Sequence, residues 1–195
     1  MAPAKSAYHH GDLRAALLDA ALEVLEEDGA TALSLRAVAR RAGVSPAAPY
    51  RHYADREALV SAVAAIGYRE LAERLGAAHP APSTPDQLAD VAVAYVRFAL
   101  DRPALFRIMF GEPCDRDNDE RVAATAAVTL YLREIVARCF PGADPEALAP
   151  AIWALVHGLA FLFLDGKLEV PTREAVAERV TGAIRALLDV PQTRR

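Results

Sequence analysis

Cysteine, tryptophan, methionine and aromatic residues are scarce in this 195-residue chain. It holds two Cys, one Trp and two Met, and Phe, Trp and Tyr together make up 7%. Cys114 and Cys139 show no C-x-x-C spacing and no His/Cys cluster, which argues against a zinc site and against a disulfide framework. A reducing cytoplasm is the expected compartment. Residues Met1 to Ser6 carry no apolar stretch of the secretory type. The longest apolar run, Leu148 to Leu164, contains Pro150 and His157 and falls short of the roughly 20 residues that span a bilayer. It is expected to be a buried helix, with no membrane partner. Also missing are a Gly-rich phosphate loop, an H-E-x-x-H pair and a nucleophile motif. His157 with Asp165, or His79 with nearby acids, can be drawn as acid–base pairs. The first pair is about two helical turns apart, too far to touch within one helix. No catalytic residue, metal ligand or cofactor is therefore expected.

What the chain does have is apolar mass. Hydrophobic residues make up 53% and charged residues 25%, which excludes disorder as the main state. Ten Gly and thirteen Pro are too few and too scattered for a fibre. The length fits one compact unit or two small ones. Ala and Leu dominate, and both lose little on entering a helix. The net charge is −4, but it is unevenly spread. Residues 34–56 hold Arg36, Arg40, Arg41, Arg51 and Arg56 against Asp55, a local charge of +4, which leaves −8 for the remainder. A short cationic segment on an acidic body suits a protein that touches a polyanion with one end only.

Helical periodicity recurs along the chain and strand alternation does not, so an all-α fold of about nine helices is expected. Leu13, Leu17, Ala20, Ala21, Val24 and Leu25 share the apolar face of a first helix that Gly29 ends. Its last turn, Glu26-Glu27-Asp28, is electrostatically poor for a helix C-terminus. Ser34 caps a short second helix. Gly43 and Val44 then supply the left-handed C′ and apolar C″ residues of a helix stop. Ser45 and Pro46 begin a third helix that runs to about Tyr53. Asp55 caps a fourth, with Leu59, Val63, Ile66, Leu71 and Leu75 as its spine. Residues 76–85 form a loop. A fifth helix carries Leu88 to Ala99, a sixth starts at Pro103 and stops at Gly111, and Glu112 to Glu120 is a surface loop. A seventh spans Val122 to Phe140, an eighth Pro145 to Leu164, and Thr172 caps a ninth.

The second and third helices, joined by Ala42-Gly43-Val44, form a helix-turn-helix, in which one helix braces and the other lies in the DNA major groove. Ala47 and Ala48 are small enough to let the backbone approach bases, and Tyr50, Arg51 and His52 follow. Arg36 starts the bracing helix, within range of a phosphate. Leu33-Ser-Leu-Arg-Ala-Val-Ala-Arg-Arg-Ala-Gly-Val-Ser-Pro-Ala-Ala-Pro-Tyr-Arg-His-Tyr53, followed by Ala54-Asp-Arg-Glu-Ala-Leu59, resembles the TetR family of transcriptional regulators. Tyr8-His-His-Gly-Asp-Leu-Arg14 looks like the opening of one branch of that family. Trp153, His157 and Gly158 look like the Trp…His-Gly signature of the same branch.

The resemblance implies a DNA-binding unit over residues 8–56 and a helical ligand-binding and dimerisation unit over residues 57–190. By position, Arg36, Ser45, Pro46, Ala47, Ala48, Tyr50, Arg51, His52 and Arg56 fall where the family faces DNA. Tyr50 and His52 would hold phosphate, Arg51 a guanine or a phosphate, and Ala47 or Ala48 a thymine methyl. Arg56 stands where the family usually has Lys, a change that keeps the cation. Pro49 stands where many members have an aliphatic residue. It lacks the N–H that would reach Ser45, so an irregular first turn is expected.

The packing implied by the family would bring Tyr95, Phe98, Phe106, Met109 and Phe110 around a pocket for a small apolar or aromatic effector. Ala154, His157, Gly158, Val180, Ile184 and Leu187 would form the homodimer seam. The expected protein is a cytoplasmic repressor that binds a near-palindromic operator on double-stranded DNA and is released by its effector. A helical dimer with a structural or enzymatic role and no sequence-specific DNA binding is the competing class. It would need the cationic helices to be incidental, and selectivity for DNA sequence separates the two.

Overall fold

The computed structural model describes residues 13–111, 118–169 and 171–188. Tyr8 to Asp12 of the amino-terminal motif, and Cys114, lie outside the described residues. Eight α-helices follow in order: α1 Leu13–Asp28, α2 Leu35–Arg41, α3 Arg56–Ala78, α4 Pro85–Asp101, α5 Pro103–Gly111, α6 Asp119–Cys139, α7 Pro145–Leu164 and α8 Arg173–Leu188. A single 3-10 turn, Pro49–Arg51, lies between α2 and α3. No strand occurs among the described residues.

Helix starts are written locally in the chain. The side-chain oxygens of Ser34, Asp55, Thr84, Asp144 and Thr172 accept backbone N–H bonds from Ala37, Ala58, Gln87, Glu146 and Ala175, at 2.8–3.3 Å. α6 begins at Asp119, about one turn before Val122, because Asn118 Oδ1 accepts the Arg121 N–H at 2.9 Å. Asp119 and Glu120 then occupy a first turn that favours negative charge. α2 ends as its sequence requires. Gly43 has φ +67°, its N–H reaches Arg40 O, and the Val44 N–H reaches Ala39 O at 3.0 Å.

The third of the nine expected helices is not an α-helix. The Ser45 carbonyl accepts from Ala48, and Arg51 and His52 donate back to Ala48 and Pro49 in i→i+3 fashion. Pro49 has no N–H to offer Ser45, so the tighter pattern wins across this segment. Ser45 and Pro46 therefore lie in a turn and do not open an α-helix.

α1, α2 and the 3-10 turn form a small head on the start of α3. α4 runs through the middle of the body and packs against α3, α5, α6, α7 and α8. The acidic end of α1 has partners. Arg41 of α2 reaches Glu23 at 3.3 Å, Glu27 at 2.7 Å and Asp28 at 3.8 Å. Glu26 pairs with Arg102 at 2.6 Å and opens a chain of charges across the body. Arg102 meets Glu70, Glu70 meets Arg74, Arg74 meets Asp101, and Asp101 meets Arg173 of α8, at 2.7–3.5 Å. The hydrogen bond from Arg41 also holds the Glu27 carboxyl below its usual range. Tertiary ion pairs thus offset the unfavourable end of α1.

Gly67 marks the tightest crossing in the body. A Cβ there would lie 2.5 Å from Met109 Sδ and 2.9 Å from Met109 Cγ, both in the fully buried side chain of α5. The neighbouring Tyr68 donates its hydroxyl to the Met109 carbonyl at 2.9 Å.

Candidate DNA interface and ligand cavity

Tyr50, Arg51 and His52 project from the 3-10 turn into solvent, and Tyr50 is 53% exposed although it is a large aromatic. Pro46, Ala47, Ser45 and Arg36 are exposed as well, and Ala48 is half-buried. Pro49 and Tyr53 turn inward and anchor this edge to the core. Of the five arginines between residues 34 and 56, Arg36, Arg40 and Arg51 face solvent. Arg41 is engaged with the acidic end of α1. Arg56 differs from expectation: its Nε and NH2 donate to the carbonyls of Leu33 and Ala30, both at 3.0 Å. Its guanidinium therefore fastens the start of α3 to the α1–α2 connection. Lys has no planar fork to hold two carbonyls in this way.

A cavity of about 230 Å³ opens between α3, α4, α6 and α7. Tyr68 and Leu75 contribute from α3, Leu88, Val91, Ala92 and Tyr95 from α4, Val128 and Tyr131 from α6, and Ile152, Trp153 and Val156 from α7. The lining is almost wholly apolar, with Thr125, Thr129 and the Arg133–Glu146 ion pair as its polar part. That pair ties α6 to α7 and leaves no uncompensated charge on the wall. Tyr131 is fixed by its hydroxyl, which donates toward the carbonyls of Leu75 and His79 at 3.2 and 3.0 Å.

Of the five residues expected around a pocket, Tyr95 alone lines this cavity. Phe98, Phe106 and Met109 are fully buried core, and Phe110 packs edge-on to Tyr68 with centroids 5.4 Å apart. The stripe of aromatics was legible in the sequence, but its direction was not. Tyr68, Tyr131 and Trp153 went unnoticed as lining residues. A signal existed for one of them, because Trp153 and His157 are four apart and must share a helix face.

Those two residues meet Tyr95 in one polar chain. Trp153 Nε1 donates to the Tyr95 hydroxyl at 3.2 Å, and that hydroxyl lies 2.8 Å from His157 Nδ1. Burial pushes the Tyr95 phenol well above its ordinary value and pulls the His157 imidazole below its own. Burial thus favours the neutral form of His157. Asp165 pairs with Arg107 at 2.5 Å, so the two partners of the imagined acid–base pair have separate neighbours.

The seam residues divide. Ala154, Gly158 and Leu187 are exposed, His157 is half-buried in the aromatic cluster, and Val180 and Ile184 are fully buried in the protomer's own core. Val180 and Ile184 pack α8 onto its own body. The open face of α7 consists of Ala147, Ala151, Ala154, Gly158 and Leu162, in steps of three and four residues. α7 is long and apolar enough to cross a membrane by length and composition, yet only 33% of its apolar window is buried. A Cβ on Gly158, or on Gly182 of α8, would meet nothing within 4 Å. No packing within the protomer requires either glycine.

Comparison with known proteins gives one answer for both regions. Residues 17–63 match the family described as bacterial regulatory proteins, tetR family, and residues 88–187 match the tetracyclin repressor-like C-terminal domain. The chain is similar to the HTH-type transcriptional regulator BetI of Rhizobium meliloti, with 30% identity over 153 residues, 75% of each chain. It is similar to a solved protein of unknown function from Rhodococcus sp. RHA1, with 34% identity, a TM-score of 0.79, and 93% of this chain and 98% of that one covered. It also resembles the multidrug binding protein EbrR, solved with imidazole, at 26% identity and a TM-score of 0.64, covering 93% and 98%. With an exposed helix-turn-helix at one end and a helical body at the other, the chain belongs to the TetR family of DNA-binding transcriptional regulators.

Proposed function

We propose that this regulator is a cytoplasmic repressor that grips a near-palindromic operator as a homodimer and releases it when a small apolar or aromatic effector enters the body. Residues 8–56 form the DNA-reading unit and residues 57–190 the effector and dimer unit. The observation that carries the proposal is the joining of two features by one helix. α3 starts beside the exposed Tyr50, Arg51 and His52 and contributes Tyr68 and Leu75 to the cavity wall. Arg56 fastens this helix to the head, so a shift of α3 carries the head with it. Arg36, Ser45, Pro46, Ala47, Ala48, Tyr50, Arg51 and His52 lie on the DNA side, and Arg56 acts as the brace behind them. The small-residue face of α7, with Gly182 and Leu187 of α8, takes a second copy of itself about a two-fold axis. The cavity wall, apolar apart from a few polar groups and one compensated ion pair, selects against a highly charged effector.

Duplexes selected by the protein from a random pool are expected to share a near-palindrome. Its half-site centres should lie about 34 Å, or a multiple of it, apart along the duplex. A pool in which no sequence is enriched at moderate salt overturns the proposal.

A further inference from the structure

We infer that the Trp153–Tyr95–His157 chain is the polar reading point of the effector cavity. It selects an uncharged aromatic ligand that carries a hydrogen-bond acceptor, and it takes up a proton on His157 as that ligand binds. The inference rests on the cavity being the effector site.

One tautomer satisfies every group in the chain. Indole nitrogen only donates, so Trp153 Nε1–H points at the Tyr95 oxygen at 3.2 Å. With His157 Nδ1 as the acceptor, the single Tyr95 hydrogen spans the 2.8 Å to the imidazole. All three groups are then satisfied, and the imidazole is the neutral Nε2–H tautomer. Tyr95 and Trp153 both line the cavity, as does Tyr68, so two of the three members of the chain stand in its wall.

An acceptor that enters beside Tyr95 competes for its one hydrogen. If the phenol turns to the ligand, Nδ1 loses its donor in a buried place. Protonation resolves this, because Nδ1–H then donates to the Tyr95 oxygen while the phenol hydrogen stays on the ligand. Aromatic rings surround the imidazole. Phe110, Phe161, Phe106 and Trp153 stand 4.6, 4.9, 5.6 and 6.1 Å from the ring by centroid, and aromatic faces attract cations.

Among the described residues, the other charges nearby are already paired. From α4 the titratable neighbour is Tyr95 itself. From α5, Arg107 lies 5.9 Å over the Phe161 ring and is held by Asp165 at the end of α7. Tyr68 of α3 sits behind Phe110, with its hydroxyl on Met109 O. Arg121 of α6 reaches Ser61 and the same carbonyl. The downward pull on the imidazole has burial as its cause. The uptake follows from the ligand's claim on Tyr95.

A matched pair of probes tests this: 2-acetylnaphthalene, which carries a carbonyl acceptor, and 2-isopropylnaphthalene, which has nearly the same shape and none. Titration calorimetry of the full chain in phosphate and in Tris reads the protons exchanged. The ketone is expected to bind with net proton uptake at pH 7. Its dissociation constant should rise from pH 6 to pH 8, at most about tenfold per unit, while that of the hydrocarbon stays flat. His157→Gln keeps an acceptor for Tyr95 but cannot titrate, and it should abolish the uptake. Tyr95→Phe should abolish the preference for the ketone. If the hydrocarbon binds and the ketone shows no uptake and no pH slope, the inference fails and the cavity reading stands. Uptake that survives in His157→Gln also overturns it. If neither probe binds, both fall.

Discussion

In the head, Arg41 holds three carboxylates and Arg56 holds two carbonyls, so a small unit is cross-tied by charged side chains at its surface. In the body, α4 lies among five other helices, and the wall between α3, α4, α6 and α7 is left incompletely filled. One region shows its chemistry outward and is rigid behind it. The other keeps its chemistry inside and has room to change. The contrast is between a cross-tied DNA-binding head and a body that keeps unfilled space among its helices. The recognition edge must keep its shape on DNA, whereas a control element needs free volume and packing with more than one arrangement.

The largest effect should come from separating two copies of the body. Ala154→Glu places a charge on the open face of α7, and sedimentation should then show monomer. Operator affinity should fall about 100-fold or more, because two heads no longer dock together. Retention of a dimer would move the seam elsewhere. Next come Tyr50→Ala and Arg51→Ala in the head. Each should weaken operator binding about 10- to 100-fold in a mobility-shift assay, the range of a lost base or phosphate contact. Both side chains are exposed, so the melting temperature should stay within about 1–2 °C, as surface substitutions usually do.

A smaller effect belongs to the body alone. Gly67→Ala forces Met109 aside at the α3–α5 crossing and should lower stability by about 1–2 kcal/mol in a urea melt, even after the gain in helix propensity. A neutral or stabilising outcome would show the crossing to be loose. The smallest effect is Arg41→Gln. The wild-type advantage should be modest, weaker at high salt and dependent on pH. The Glu27 carboxyl titrates lower in the folded protein than in the unfolded chain. Its contribution is therefore complete above the ordinary Glu range and is lost as pH falls through the folded value. Thermal melts of both proteins should accordingly converge in acid.

The head was largely legible in the sequence because its signals are local. Ser34, Gly43 and Asp55 each act within a few residues, and Pro49 announces the missing N–H that turns an expected α-helix into a 3-10 segment. The body was legible as helices and not as a cavity. Periodicity places Phe98, Phe106 and Met109 on apolar faces, but it cannot say whether such a face meets a neighbour or an opening. The acidic end of α1 was unaccountable for the same reason. Its partner Arg41 lies in the next helix and Arg102 lies far along the chain, and only tertiary structure brings them together.

The length of α3 has a mechanical consequence. At 23 residues it is a rod of about 34 Å, bolted to the head by Arg56 and crossed by α5 at Gly67. A tilt of only about 3° carries the tip of such a rod through about 1.8 Å. Slight tilts of α3 therefore become steps comparable with a hydrogen bond's tolerance at the end that carries the head.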